Sequence, residues 1–265
     1  MTSILSVVRL FADYLGQYFK TRLAYRADFF GELVSNLIFE LINLVFILVV
    51  FTHVPTLKEW TLYEIIFIYG FFLVPYAIFS MFFGFWDFNE RYIIRGEMDR
   101  ILTRPVHNLA QVCLESISPD RIFGVISGLI IMGYAAFQLK LTFAWYDLFI
   151  FIGLVISSVL IYAGVYTAIA AVSFFSDSRT GIAPMIWNMQ NYGRYPVEIY
   201  NKLIGFFLTW LLPFAFVGFY PSAYFLKKTQ WYAYTMLTPL MGVIFFAIGL
   251  AVWKYGVKKY QGAGS

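Results

Sequence analysis

Charge-free apolar runs cover 65–86, 122–139, 148–176, 203–226 and 229–253, and a sixth, 33–57, is interrupted only by Glu40. Each is close to the roughly 20 residues that a helix needs to cross a hydrocarbon layer about 30 Å thick. Backbone N–H and C=O groups find no water in that layer, so each run is expected to be a helix, which satisfies them internally. The pattern predicts an all-α polytopic membrane protein with six transmembrane helices, near 30–52, 62–86, 119–139, 147–174, 203–226 and 232–254. Ahead of them, Ile4, Val8, Phe11, Leu15, Tyr18 and Phe19 form one stripe at helical spacing, with Ser6, Arg9, Asp13, Gln17 and Lys20 off it. Residues 4–28 therefore read as an N-terminal amphipathic interfacial helix resting among lipid headgroups. Trp60, Tyr63, Trp86, Trp145, Tyr146, Trp231, Tyr232 and Tyr255 fall at the span boundaries, where amphipathic rings belong.

Two interruptions refine this picture. Pro213, Gly218 and Pro221 cut the run LLPFAFVGFYPSAYFLKK. Proline removes a helical hydrogen bond, and freed carbonyls at membrane depth need protein or water beside them. The fifth span is therefore expected to end near 213–218, followed by a broken or re-entrant segment, with a simple kinked helix as the alternative. Small residues at close-packing intervals line span four (Gly153, Ser157, Gly164, Thr167, Ala168, Ala171) and span three (Gly124, Gly128). They let helix backbones approach, either within the chain or against a second one.

Composition agrees with the pattern. Hydrophobic residues are 61% of the chain and charged residues 13%, about half the charge of a soluble domain. Lys and Arg alternate by loop, 15 on one side against 4 on the other, so the positive-inside rule places both termini in the cytoplasm. The net charge of +4 then reports topology, and nucleic-acid binding is not expected. The lone Cys113 forms no internal disulfide or cysteine cluster. His53 and His107 lie on opposite predicted sides, which argues against a shared metal. The terminal Gly262-Ala263-Gly264-Ser265 is left out of the fold reasoning.

The second loop is the richest in signals, from Trp86 to His107. Gly96 breaks an approaching helix, Glu97 to Arg104 forms a short one, and Pro105 stops it. Its acids come early and its arginines late, which suits the helix dipole. Met98, Ile101 and Leu102 share one face. A stiff, charged rod of this kind suits a groove in a soluble partner.

The run YIIRGEMDRILTRPVHNLAQ resembles the loop after the second span in type-2 ABC exporter permeases, such as the drug, lipid and polysaccharide exporters of bacteria. YGRYPVEIY at 192–200 resembles a second signature of a bacterial subgroup, and the six-span layout matches across essentially the whole chain. The resemblance implies a permease in a bacterial cell membrane that pairs with a second permease, identical or related. It implies separate ABC ATP-binding subunits, which carry ATP and Mg, engaged through a coupling helix in the 91–104 loop. Arg91, Arg95, Gly96, Glu97, Asp99, Leu102, Arg104 and Pro105 are the residues it marks for coupling. No cofactor is expected on this chain: no glycine precedes a lysine anywhere, so the phosphate loop G-x-x-x-x-G-K-[ST] is absent.

A few polar groups stand out inside apolar sequence. Glu40 sits about mid-span, where an ionisable group is a functional candidate by default; it is assigned to the permease interface or the substrate path. Arg194 and Glu198 are placed on a short interfacial segment leading into span five, gating the cytoplasmic entrance, and Pro213 and Pro221 join them as path candidates. Glu64, near a span end, reads as solvated, and Asp177 and Arg179 as local pairing partners. An ion-coupled carrier using Glu40 is the alternative function. It is weaker because such carriers usually hold several intramembrane ionisable groups. A lipid-directed enzyme lacks a convergent acid, base or metal set.

Overall fold

The computed structural model describes residues 26–175 and 182–260, together with Gly16 and Lys20. The expected interfacial helix 4–28 lies almost wholly outside these residues, as do Asp177 and Arg179. The described chain is helical. Its helices are α1 (Arg26–His53), α2 (Leu62–Phe82), α3 (Glu97–Leu102), α4 (Asn108–Glu115), α5 (Ile122–Gln138), α6 (Asp147–Val172), α7 (Ile182–Gln190), α8 (Lys202–Phe206), α9 (Phe219–Phe225) and α10 (Tyr232–Lys259). The α1, α2, α5, α6 and α10 helices, the last three with short 3₁₀ extensions, are long and apolar enough to span a membrane. A π-helical turn, Phe207–Leu211, prolongs α8.

Two close crossings form the frame. The α2 and α5 backbones touch at Gly70 and Gly128: a Cβ on Gly70 would lie 2.6 Å from the Met132 nitrogen. The α6 and α10 helices touch at Gly164 and Gly249, and a Cβ on Gly242 would lie 2.8 Å from the Ser157 carbonyl oxygen. In lipid, where apolar surface gives little drive for helix association, such close backbone packing supplies it. The small residues of spans three and four thus serve contacts within the chain, with the exception of Gly153, which faces open space. By contrast α1 is peripheral, with Ile47 its one fully buried residue. Phe30, Phe39, Ile42 and Phe46 are each more than half exposed.

The bundle has two ends. Loops 54–61, 140–146 and 226–231 meet at one of them: Lys228 pairs with Glu64 at 2.8 Å, Lys227 donates to Thr142 and Tyr224 donates to Asp147. Loops 83–121, the end of α6 and the end of α10 form the other. Glu64 is not solvated: its side chain is 13% exposed, and it also accepts from the Thr61 backbone N–H at the start of α2.

The fifth span departs from its expected position. Trp187 packs on Trp86 near the loop-83 end, yet Glu198 accepts from the Trp60 indole N–H at 2.9 Å at the opposite end. Residues 182–199 therefore make the fifth crossing, through α7 and the 3₁₀ turns Asn191–Arg194 and Val197–Ile199. The apolar run expected to be span five then dips back from the Trp60 end. The chain reaches Phe214, which packs on Tyr162, fifteen residues or about 22 Å along α6 from Asp147. It returns through α9 to Tyr224 and Lys228. The two arms, Lys202–Leu211 and Phe214–Phe225, are bent by 72°. This is the re-entrant segment after span five that the prolines foretold, with its break at Leu212–Pro213. Its irregular turn is tolerable because Phe214, Ala215, Phe216 and Val217 are at most 1% exposed.

With this placement Lys202 moves to the Trp60 end and Arg194 leaves the loops. The charge balance moves from 15 against 4 to 13 against 5, and its sign is kept. One prediction tests the frame. Gly164→Ala should lower the melting temperature of the purified protein, with overpacking costing about 1–3 kcal/mol. Gly153→Ala, with no heavy atom within 4 Å of the added carbon, should leave it unchanged.

Candidate coupling loop and membrane cleft

The loop-83 end carries a folded cap over the bundle. A π-helical turn, Asn89–Ile94, runs into Gly96, whose φ of 72° lies in the left-handed region that only glycine enters without strain. That reversal starts α3. The helix is shorter than expected, ending at Leu102 rather than Arg104. Met98 and Ile101 are fully buried, and Leu102, on the same side of the helix as Met98, is 39% exposed. Four residues on from Met98, and so about 40° round the rod from it, Leu102 lies at the rim of the buried face.

Four charges fasten the loop. Arg91 Nε donates to Glu97 at 3.0 Å and its Nη2 to Glu115 at 3.2 Å. Arg100 reaches Glu115 at 2.8 Å, and Tyr92 donates to the same carboxylate at 3.1 Å. Burial of Glu115 would raise its pKa, but hydrogen bonds from Arg100 and Gln111 outweigh it and hold the carboxyl below its ordinary value of 4.5. Sequence reading missed Glu115, because a single acid thirteen residues beyond Leu102 carries no local signal.

Aromatic contacts bolt this cap to the bundle. Phe88 packs edge-on to Phe174 and Trp253, and the Trp253 indole N–H donates to Asn108 at 3.0 Å. The ends of α6 and α10 are thereby tied to the π-helical turn ahead of α3 and to α4. Of the expected coupling residues, Arg91 and Glu97 thus belong to the internal ion cluster. Arg95, Asp99, Leu102, Arg104 and Pro105 are exposed, with Ile94 beside them at 41%.

A second feature lies at membrane depth. A cleft of about 570 Å³ opens between α1 and a wall built by α2, the start of α5 and residues 187–194. Glu40 and Arg194 both line it, as do Tyr69, Tyr76 and Trp187. Tyr69 donates to the Glu40 backbone carbonyl at 3.0 Å, and the Arg194 guanidinium stands 6.0 Å from the Tyr69 ring centre. Glu40 Oε2 and Arg194 Nε are buried, and neither has a hydrogen-bond partner among the described residues. The other charges at the cleft are matched: Arg121 pairs with Glu32 at 2.8 Å and with Asp120 at 3.7 Å.

The expected gating role of Arg194 and Glu198 at the cytoplasmic entrance does not fit this geometry. Arg194 sits inside the crossing, and Glu198 is held by Trp60 at the far end. Neither Pro213 nor Pro221 lines the cleft. Pro213 forms the buried turn of the hairpin, and Pro221 sits in the first turn of α9, where the missing N–H costs little.

The profile described as "ABC-2 family transporter protein" matches residues 37–264. The chain belongs to that family and is a multi-pass membrane permease subunit of an ABC transporter. No curated protein matches it, and no solved structure does.

The ion cluster yields a two-part prediction. Glu115→Ala should raise amide hydrogen exchange across 91–102 by about tenfold, since a hydrogen bond to a charged group contributes about 1.5–3 kcal/mol. In the unaltered protein, a carboxyl with a depressed folded pKa contributes stability that is present above 4.5 and lost only as pH falls below it. Exchange protection of this loop, corrected for intrinsic rates, should therefore stay constant from about pH 8 to about pH 5.5.

Proposed function

We propose that this permease passes its substrate across the membrane with energy from separate ATP-binding subunits, which seat on the cap at Leu102 and its charged neighbours. The single observation that carries the reading is the contrast of exposure along this loop. Met98 and Ile101 are sealed into the chain's own core, and Ile94, Arg95, Leu102 and Arg104 stand outward. A helix face with an apolar anchor and flanking cations fits a groove on a soluble partner. The excess of Lys and Arg at that end supports its placement in the cytoplasm of a bacterial cell, with both termini on the same side.

Two features support the rod as a transmitter of motion. It is braced by four charges, so a push on Leu102 moves Glu115 and α4 with it. It is also bolted through Trp253 and Phe174 to α10 and α6, which touch along their length at glycines. Movement of the cap would then tilt these two helices together. The weakly attached α1 leaves the cleft free to change width, and its exposed apolar face is the natural seat of a second permease. The ion-coupled reading is set aside, because membership in the ABC-2 family supports the ATP-driven one.

Co-expression with its ATP-binding subunit tests this. Leu102→Glu together with Arg104→Glu should cut co-purification and the transport-linked ATPase rate at least about tenfold, since hot-spot truncations typically cost about 2 kcal/mol or more. Membrane insertion and melting temperature should be unchanged, because both side chains face outward. Normal assembly and normal ATPase stimulation by the double variant would overturn the docking site.

A further inference from the structure

The cleft holds two buried charge-bearing atoms of opposite sign that nothing in the described chain satisfies: Glu40 Oε2 and Arg194 Nε. Each belongs to a different wall, Glu40 to the peripheral α1 and Arg194 to the fifth crossing. Arginine keeps its proton in any protein setting, and an unpaired buried charge is expensive. The Arg121, Asp120 and Glu32 side chains pair with one another nearby, whereas the Glu40 carboxyl has only the Ser127 hydroxyl beside it and Arg194 the Tyr195 hydroxyl, so among the described residues these two lack a counter-charge. Between the two stands Tyr69, whose hydroxyl is committed to the Glu40 carbonyl and whose ring faces the Arg194 cation. The aromatic rings of Phe72, Tyr76 and Trp187 also line the cleft, beside the polar Ser80, Gln190 and Asn191.

We propose that this cleft binds a zwitterionic amphipath. Its acidic group sits on Arg194, its basic group on Glu40, and its apolar or aromatic body lies along Tyr76 and Trp187. The proposal rests on the permease reading and names the substrate class for it. A ligand carrying only an acid leaves the Glu40 carboxylate buried and unmatched, and one carrying only a base leaves Arg194 so. A ligand with both settles the two penalties at once, and this is the chemical basis of selectivity. The volume, about 570 Å³, is that of a small-molecule site. Access is lateral, because α1 packs loosely on the wall.

A matched series of fluorescent probes tests this in maltoside micelles, without any ATPase, so that failure here leaves the coupling assignment untouched. Nε-dansyl-lysine carries both charges, dansyl-aminohexanoate only the acid and dansylcadaverine only the base. Energy transfer from tryptophan to dansyl should saturate with each, and the zwitterion should bind at least about tenfold tighter than either relative. Glu40→Gln should erase its advantage over the acid probe, and Arg194→Gln its advantage over the base probe. Each variant thus keeps one probe as its own proof of folding, and Arg194→Lys and Glu40→Asp should restore the preference in part. Adding phosphatidylethanolamine separates two sources of the same chemistry: competition assigns the site to a lipid headgroup, and unchanged binding assigns it to a molecule from solution. Wild-type affinities for the three probes within about threefold of one another would overturn the proposal, as would loss of all three in either Gln variant.

Discussion

A polar group inside a bilayer must find its partner within the protein, and the whole architecture answers to that requirement. The five long helices meet it along their own backbones. The irregular pieces meet it by being covered: the turn at Leu212–Pro213 is enclosed by α6 and by Gly193, and Ser158 donates to the Phe216 carbonyl at 3.1 Å. Glycine pairs on α2 with α5, and on α6 with α10, bring the covering helices close enough to exclude lipid. A cleft adjoins Glu40 and Arg194, two of the groups for which the requirement is left unmet.

The same frame links the two functional regions. The fifth crossing packs beside α2 and α6, with Gln190 accepting from the Tyr166 hydroxyl at 2.8 Å, so Arg194 is set by helices whose other ends carry the cap. At the far end, Trp60 joins Glu198 by a hydrogen bond and Lys228 by a cation–π contact at 4.5 Å. The exit of the fifth crossing and the exit of the hairpin are thereby held to the first loop. In the proposed coupling, movement applied at the cap would travel through α10 and through α2, and α2 builds part of the cleft wall.

The sequence made most of the fold legible because hydropathy is a long-range, additive signal: α1, α2, α5, α6 and α10 all fall where the apolar runs lie. The fifth span defeated that logic. Its stretch carries Asn188, Gln190, Asn191, Arg194, Pro196 and Glu198, and polar side chains with partners in the fold look the same in sequence as polar side chains in water. The neighbouring apolar run at 203–226 reads better as a span and is a hairpin. At the cap, the glycine–helix–proline spacing correctly marked α3, since turn chemistry is local. Glu115 and Trp253, which hold α3 in place, come from distant positions, and no local pattern encodes them. The partial exposure of Leu102 beside buried Met98 follows from its place at the end of the helix, which stops two residues before the expected Arg104.

The account stands on where the chain runs between α6 and α10, and side-specific labelling measures that directly. In a Cys113→Ser background, Asn201→Cys and Lys58→Cys should react with a membrane-impermeant maleimide from the same side of sealed vesicles, and Thr103→Cys only from the other. Asn201→Cys labelled from the side of Thr103 would contradict the fifth crossing at 182–199, and with it the position of Arg194 in the cleft.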